Sequence, residues 1–274
     1  LALIFQNSCA VAMLLLGKQV GYFKMKPRTN LQYLQLTVPA VCLSIQIATS
    51  MRALPHVAIA TTVMFRCIAT LCIACIDTFW FRKKISSQRR AYLIVSFLGS
   101  LLYAWQDSHF ELQGYFWLSI NLVIYTGNAI YNKQVISSMD QTADGVALIT
   151  QIVSIPFLCL YSFIADEFHG NFLSDFVNLS SSAMITFLWL GGMGTLIAVA
   201  NGHLYKIASS TTISVASNIN KCICILLSSF IFSEFLGLLQ ILGLAVCVSA
   251  NLMYTYIGLK EKDKQKDRSR NPSV

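Results

Sequence analysis

Two cations stand in stretches of sequence that are otherwise apolar: Arg66 in Thr-Thr-Val-Met-Phe-Arg-Cys-Ile-Ala-Thr-Leu, and Lys221 in Ser-Val-Ala-Ser-Asn-Ile-Asn-Lys-Cys-Ile-Cys-Ile. Each is more than ten residues from the next charge on either side. On a helix rising about 1.5 Å per residue, such a separation amounts to roughly 15–20 Å. Snorkelling to water serves residues near a helix end. A cation at mid-span costs at least about 2.5 kcal/mol, and so faces a cavity or a partner. A guanidinium binds oxygens in pairs and an ammonium acts as a point charge, so the two together suit an anion with spread charge, such as a diphosphate. Asn218 and Asn220, close to Lys221, add amide donors and acceptors that can read a base or sugar edge. The structural alternatives are that the cations pair with buried acids, Asp77 and Glu234 being the only ones in or bordering the two segments, and that the Asn residues join neighbouring helices.

No other chemistry competes strongly. The nine cysteines all lie inside apolar blocks, where Cys behaves as a small hydrophobe, and no disulfide framework is read from them. Cys72 and Cys75 have metal-like spacing, but no second Cys or His pair stands at matching range, so no metal or redox cofactor is implied. With four His and twelve acids and no cluster of nucleophile, acid/base or metal groups among them, the chain is read as a non-enzyme.

The elements that must position these residues are membrane helices. Of 274 residues, 55% are apolar and 12% charged, against about 25% charged in soluble domains. About nine blocks reach the roughly 20 apolar residues needed to span a bilayer, near 1–17, 31–50, 54–80, 90–106, 114–136, 144–165, 181–201, 211–232 and 235–258. The net charge of +8 is confined to connectors and does not form a nucleic-acid stripe. Lys18, Lys24, Lys26 and Arg28, then Arg82, Lys83, Lys84, Arg89 and Arg90, and then the tail from Lys260 mark cytosolic loops. Asp107, His109 and Glu111, then Asp166, Glu167, His169 and Asp175, and then Glu234 mark the opposite side. Asn178-Leu-Ser180 in that lumenal set matches a glycosylation acceptor. The chain is thus expected to hold one transmembrane domain over 1–259 and a basic, disordered cytosolic tail over 260–274. Nine spans with a cytosolic C-terminus place residue 1 on the lumenal side, which predicts a tenth helix ahead of it.

A shift of 155 residues lays Ala53, Arg66, Cys67, Ile68 and Leu71 over Ala208, Lys221, Cys222, Ile223 and Leu226. An odd, five-helix period would invert the second copy in the membrane, as in transporters whose substrate site lies at the midplane between inverted repeats. Gly191, Gly192 and Gly194 are read as small residues for close helix packing, and Asn128, Tyr131, Asn132 and Lys133 as a polar end to the fifth block.

The segment Ser210-Thr-Thr-Ile-Ser-Val-Ala-Ser-Asn-Ile-Asn-Lys221 resembles the Ser-Thr-Thr-Tyr-Ser-x-Val-Gly-Ala-Leu-Asn-Lys segment of nucleotide-sugar transporters in the drug/metabolite transporter superfamily, in particular the GDP-mannose branch. The resemblance extends over nearly the whole chain. It implies an all-α polytopic membrane protein, an inverted-repeat bundle of ten helices with residue 1 near the second. Asn220 and Lys221 match the family's substrate motif, while Ser217, Asn218, Ile219 and Ile213 depart from it. A second family motif, Phe-Tyr-Asn-Asn, is linked to guanine recognition and falls at Leu148-Ile-Thr150-Gln151, where Thr150 and Gln151 supply the polar groups.

The implied activity is exchange of a GDP-sugar or UDP-sugar for a nucleotide monophosphate across a Golgi or endoplasmic reticulum membrane by alternating access. Alternatives within transport are a UDP-N-acetylglucosamine-type carrier and a phosphorylated-metabolite translocator. A receptor or assembly factor is the non-transport alternative. The partners are the two nucleotide ligands and the lipid bilayer, with no nucleic acid, and the oligomeric state, a homodimer among the alternatives, is left open.

Overall fold

The computed structural model describes residues 2–22, 26–27, 29–82, 85–105, 111–164, 181–232 and 237–270. Of the charges used above, Lys24, Arg28, Lys83, Lys84, Asp107, His109, Asp166, Glu167, His169, Asp175 and Glu234 lie outside the described residues, as does Asn178. The described elements are helices α1 (Ala2–Gln19), α2 (Asn30–Ala53), α3 (Ile59–Phe79), α4 (Ser87–Ala104), α5 (Leu112–Ser138), α6 (Ala143–Ile164), α7 (Ser181–Ile207), α8 (Ser210–Phe232) and α9 (Leu238–Arg270), with one 3₁₀ turn at Leu54–His56. No strand occurs among the described residues. Apolar runs of this length have one way to satisfy their backbone in hydrocarbon, which is to bond within the helix. Five of the described helices are long and apolar enough to cross a membrane, at 30–56, 59–79, 143–164, 210–227 and 238–261. The chain is an all-α polytopic membrane protein. The backbone of α9 stays helical to Arg270, eleven residues past that helix's last apolar residue, Leu259.

The distribution of side chains fits lipid as the outer solvent. Large apolar residues such as Ile94, Leu98, Phe163, Trp189, Leu196 and Leu227 are exposed, while Thr70, Asp77, Ser96, Ser100, Asn218 and Asn251 are buried. In water that arrangement would leave apolar patches far larger than a soluble monomer shows.

The chain divides into two compact units that interleave along the sequence. One comprises residues 1–48 and 130–208, and the other 49–129 and 209–274. Adding 155 to the bounds of α2, α3 and α4 gives 185–208, 214–234 and 242–259, which fall on α7, α8 and α9. Each unit therefore contains helices from both halves of the sequence repeat.

In the first unit α1 packs on α6 and α7, and α6 on α7. Two of the three glycines singled out on α7 sit at close packing, for a Cβ on Gly191 would come within 2.8 Å of the Cys9 Cβ and one on Gly194 within 2.8 Å of the Gln6 Nε2, whereas one on Gly192 would make only ordinary contact with Met13 at 3.7 Å. The turn between α5 and α6 is fastened by Gln141, whose Oε1 accepts from the Lys26 amide at 3.0 Å and whose Nε2 donates to the Lys26 carbonyl at 3.2 Å. Lys133 Nζ donates to the Tyr205 carbonyl at 2.6 Å, and Tyr131 donates its hydroxyl to the Gln35 carbonyl at 3.3 Å. Tyr205 lies in the last turn of α7, where carbonyls lack helical partners and a cation is favoured. Beside that turn, Lys26 pairs with Asp140 and holds its carboxyl below the usual carboxylate range.

In the second unit the most extensive pairing joins α4 to α9. It depends on Gly99 and Gly243. A Cβ on Gly243 would lie 2.6 Å from the Tyr103 amide nitrogen and 2.7 Å from the Gly99 carbonyl oxygen, so the two backbones touch. Gly243→Val is expected to destabilise the protein by about 1–3 kcal/mol through overpacking against rigid backbone. A lowered midpoint of thermal unfolding in detergent would register the loss, whereas an unchanged midpoint would mean the helices do not cross there.

Candidate substrate-binding site

Helix α8 is organised at its start by two caps. The Ser209 hydroxyl oxygen accepts from the Thr212 amide at 3.2 Å, a local N-cap. The second cap comes from another helix, as Asp77 near the end of α3 accepts through Oδ2 from the Thr211 amide at 3.2 Å and the Thr211 hydroxyl at 2.8 Å. Asp77 is 1% exposed, and a helix N-terminus is a place where a buried carboxylate finds orphan donors and a favourable dipole.

From there one face of α8 runs along α3. Ser214 Oγ lies 2.7 Å from Thr70 Oγ1, and Asn218 Nδ2 donates to Thr70 Oγ1 at 2.9 Å. One turn further, Cys222 and Cys67 both approach Cys247 of α9, with Sγ separations of 4.0 and 3.9 Å. Residue numbers fall along α3 as they rise along α8, so the two helices are antiparallel. Since α3 and α8 are also the elements related by the 155-residue shift, the two copies run in opposite directions there, as an inverted repeat requires.

Arg66 and Lys221 each precede one of those cysteines. Both are half-buried, and they are near enough for their charges to interact. The Arg66 guanidinium carbon sits 4.2 Å from the centroid of the Tyr125 ring on α5, a cation–π contact. The Tyr125 hydroxyl in turn lies 3.3 Å from Ser214 Oγ. What this unit holds is therefore Arg66 over an aromatic ring, Lys221 on the facing helix, and a row of hydroxyl and amide groups between α3, α5 and α8. Such a set has the donors and positive charge that a polyanion would need.

The remaining residues singled out in sequence fall as follows. Asn218 is 2% exposed, with its amide nitrogen committed to Thr70 and its Oδ1 without a hydrogen-bond partner among the described residues. Asn220 is exposed, and the Cys224 thiol approaches its Oδ1 at 4.0 Å. Thr150 and Gln151 lie on α6 in the other unit, both half-buried, with the Thr150 hydroxyl donating to the Val146 carbonyl at 2.9 Å. Tyr125, Thr70 and Ser214 carried no sequence signal, since hydroxyls and rings are common in apolar helices and only packing brings these three to Arg66.

Over 94% of its length the chain is 25% identical to GDP-fucose transporter 1 of Arabidopsis thaliana, covering 80% of that protein. It is 22% identical to the GDP-mannose transporter of Komagataella pastoris, over 85% of the chain and 73% of the relative. It is 21% identical to GDP-mannose transporter 1 of Saccharomyces cerevisiae, over 94% and 81% respectively. Over most of its length the chain is similar to nucleotide-sugar transporters. No family model matches it. A solved crystal structure superposes with a TM-score of 0.69 over 93% of the chain and 87% of its own length, at 14% identity, so the fold is shared. The relatives named are transporters, not enzymes.

The cap on α8 gives a test of how the α3–α8 pair is held. Asp77→Ala leaves the buried Thr211 donors unsatisfied and should cost about 1–3 kcal/mol, while Asp77→Asn, which keeps an acceptor, should cost less. Equal thermal stability of all three proteins would show that Asp77 does not anchor α8.

Proposed function

We propose that this chain exchanges a nucleotide-sugar for a nucleotide monophosphate across a secretory-pathway membrane, with the diphosphate of the substrate held by Arg66 and Lys221. The observation that carries this reading is a half-buried cation on each member of an antiparallel helix pair, each one residue before a cysteine that approaches Cys247. Two like charges in an apolar layer repel each other, and a bound diphosphate offsets both the repulsion and the desolvation. Uncharged solutes would gain nothing from such a site.

A GDP-sugar is the favoured cargo, because the relatives are carriers of GDP-fucose and GDP-mannose. The sequence at Thr150 and Gln151, where the GDP-mannose branch has two Asn residues, is what keeps a UDP-sugar as the second reading. The positive connectors favour a cytosolic C-terminus in a Golgi or endoplasmic reticulum membrane. Transport by alternating access would turn on the oppositely directed repeat, with the substrate's differential affinity for two states driving the shift between them.

The test is uptake into proteoliposomes preloaded with GMP or UMP, offering a panel of labelled GDP- and UDP-sugars. Exchange with at least one donor is expected, and its complete absence would defeat the transport reading. Where exchange occurs, Lys221→Ala should abolish it in folded protein and Arg66→Ala should raise KM at least tenfold, about 1.4 kcal/mol of lost binding. Full activity in Lys221→Ala would remove the diphosphate from this site.

A further inference from the structure

Four contacts close a ring around Arg66. Its side chain meets the Tyr125 ring at 4.2 Å, and its backbone carbonyl accepts the Thr70 hydroxyl at 3.0 Å. A hydroxyl has one proton, so Thr70 must accept toward its other neighbours, which are Ser214 Oγ at 2.7 Å and Asn218 Nδ2 at 2.9 Å. Ser214 then donates to Thr70 and accepts from the Tyr125 hydroxyl at 3.3 Å. The chain of donors runs Tyr125 to Ser214 to Thr70 to the Arg66 carbonyl, and the cation–π contact returns it to Tyr125. It also fixes the orientation of Asn218. Turned over, Asn218 would set its carbonyl oxygen against a Thr70 hydroxyl with no proton left to give.

We propose that Tyr125 is a positioning residue for anion binding: its ring, held by the Ser214–Thr70 hydroxyl chain, fixes the direction in which Arg66 presents its guanidinium to a diphosphate. This rests on the reading of Arg66 and Lys221 as the diphosphate site. The three links of the ring come from three helices, α5, α8 and α3, so the direction of Arg66 is set by the packing of the unit and not by its own rotamer preference. A free Arg side chain would surrender rotamer entropy on binding an anion, and one already held against a ring surrenders less. The ring occupies one side of the guanidinium and leaves the others for oxygens, so Tyr125 acts through Arg66 and needs no contact with substrate.

The experiment is isothermal titration of GDP and of UDP into the purified full chain in detergent, comparing wild type, Tyr125→Leu, Tyr125→Phe, Arg66→Ala and the double variant Arg66→Ala/Tyr125→Leu. Tyr125→Phe keeps the ring and breaks only the hydroxyl chain, so it also serves as the variant that folds if Tyr125→Leu does not. The wild type is expected to bind one of the two diphosphates. Tyr125→Leu should weaken that binding about threefold to thirtyfold, with Tyr125→Phe in between. In the Arg66→Ala background, the further change at Tyr125 should have no effect, because the residue it positions is gone. Additive losses in the double variant, or wild-type affinity in both single Tyr125 variants, would overturn the positioning role while leaving the diphosphate site intact. Failure of the wild type to bind either diphosphate would overturn the site and the positioning role together.

Discussion

A positive charge inside an apolar layer must be met by an opposite charge or by a wet cavity, and this chain places two such charges on helices that pack against each other, each one residue before a cysteine that meets Cys247. Arg66 and Lys221 are the constraint around which the second unit is arranged. Neither can sit in lipid at tolerable cost, so the helices carrying them must pack with those residues turned toward a polar environment. The aromatic ring of Tyr125 softens part of that cost for Arg66 by offering the negative face of its π-system. A transported polyanion would offset much of the remainder.

The helix pair that presents the cations is held by small and polar contacts, because apolar side chains gain little from burial when the surroundings are equally apolar. Thr70 is the hub, bonded to Ser214, Asn218 and the Arg66 carbonyl. Asp77 anchors the start of α8 and the cysteines pack its middle against α9. The backbone contact between Gly99 and Gly243 brings α4 against α9. Each of these is short-ranged and directional, which suits a structure that must hold two charged side chains at a fixed spacing.

Much of this was legible in the sequence, and for a physical reason. Charges are rare in membrane helices, so Arg66 and Lys221 are conspicuous without any structure. The apolar blocks and their connectors likewise mark the helices, and the 155-residue repeat can be read from one cation falling over the other. Gly191 and Gly194 of α7 were legible as packing residues because three small residues fall within one turn or so, while Gly192 between them meets only ordinary contact.

What escaped the sequence depends on contacts between distant segments. Tyr125 is one of eleven tyrosines, and nothing local distinguishes the one that lies over Arg66. Asp77 could be read as a partner for a mid-span cation, but its carboxylate reaches the first turn of α8, where unpaired amide donors are available. Asn218 stood beside Lys221 as a reader of base or sugar, and packing commits its amide nitrogen to Thr70 while its Oδ1 has no partner among the described residues. The most direct measurement of the central claim is the affinity of the protein for a nucleoside, its monophosphate and its diphosphate, in wild type and in the Arg66→Ala/Lys221→Ala double variant. Affinity should rise with each phosphate in the wild type, and the rise should be lost in the double variant. A nucleoside bound as tightly as its diphosphate, or a phosphate dependence that survives removal of both cations, would contradict the claim.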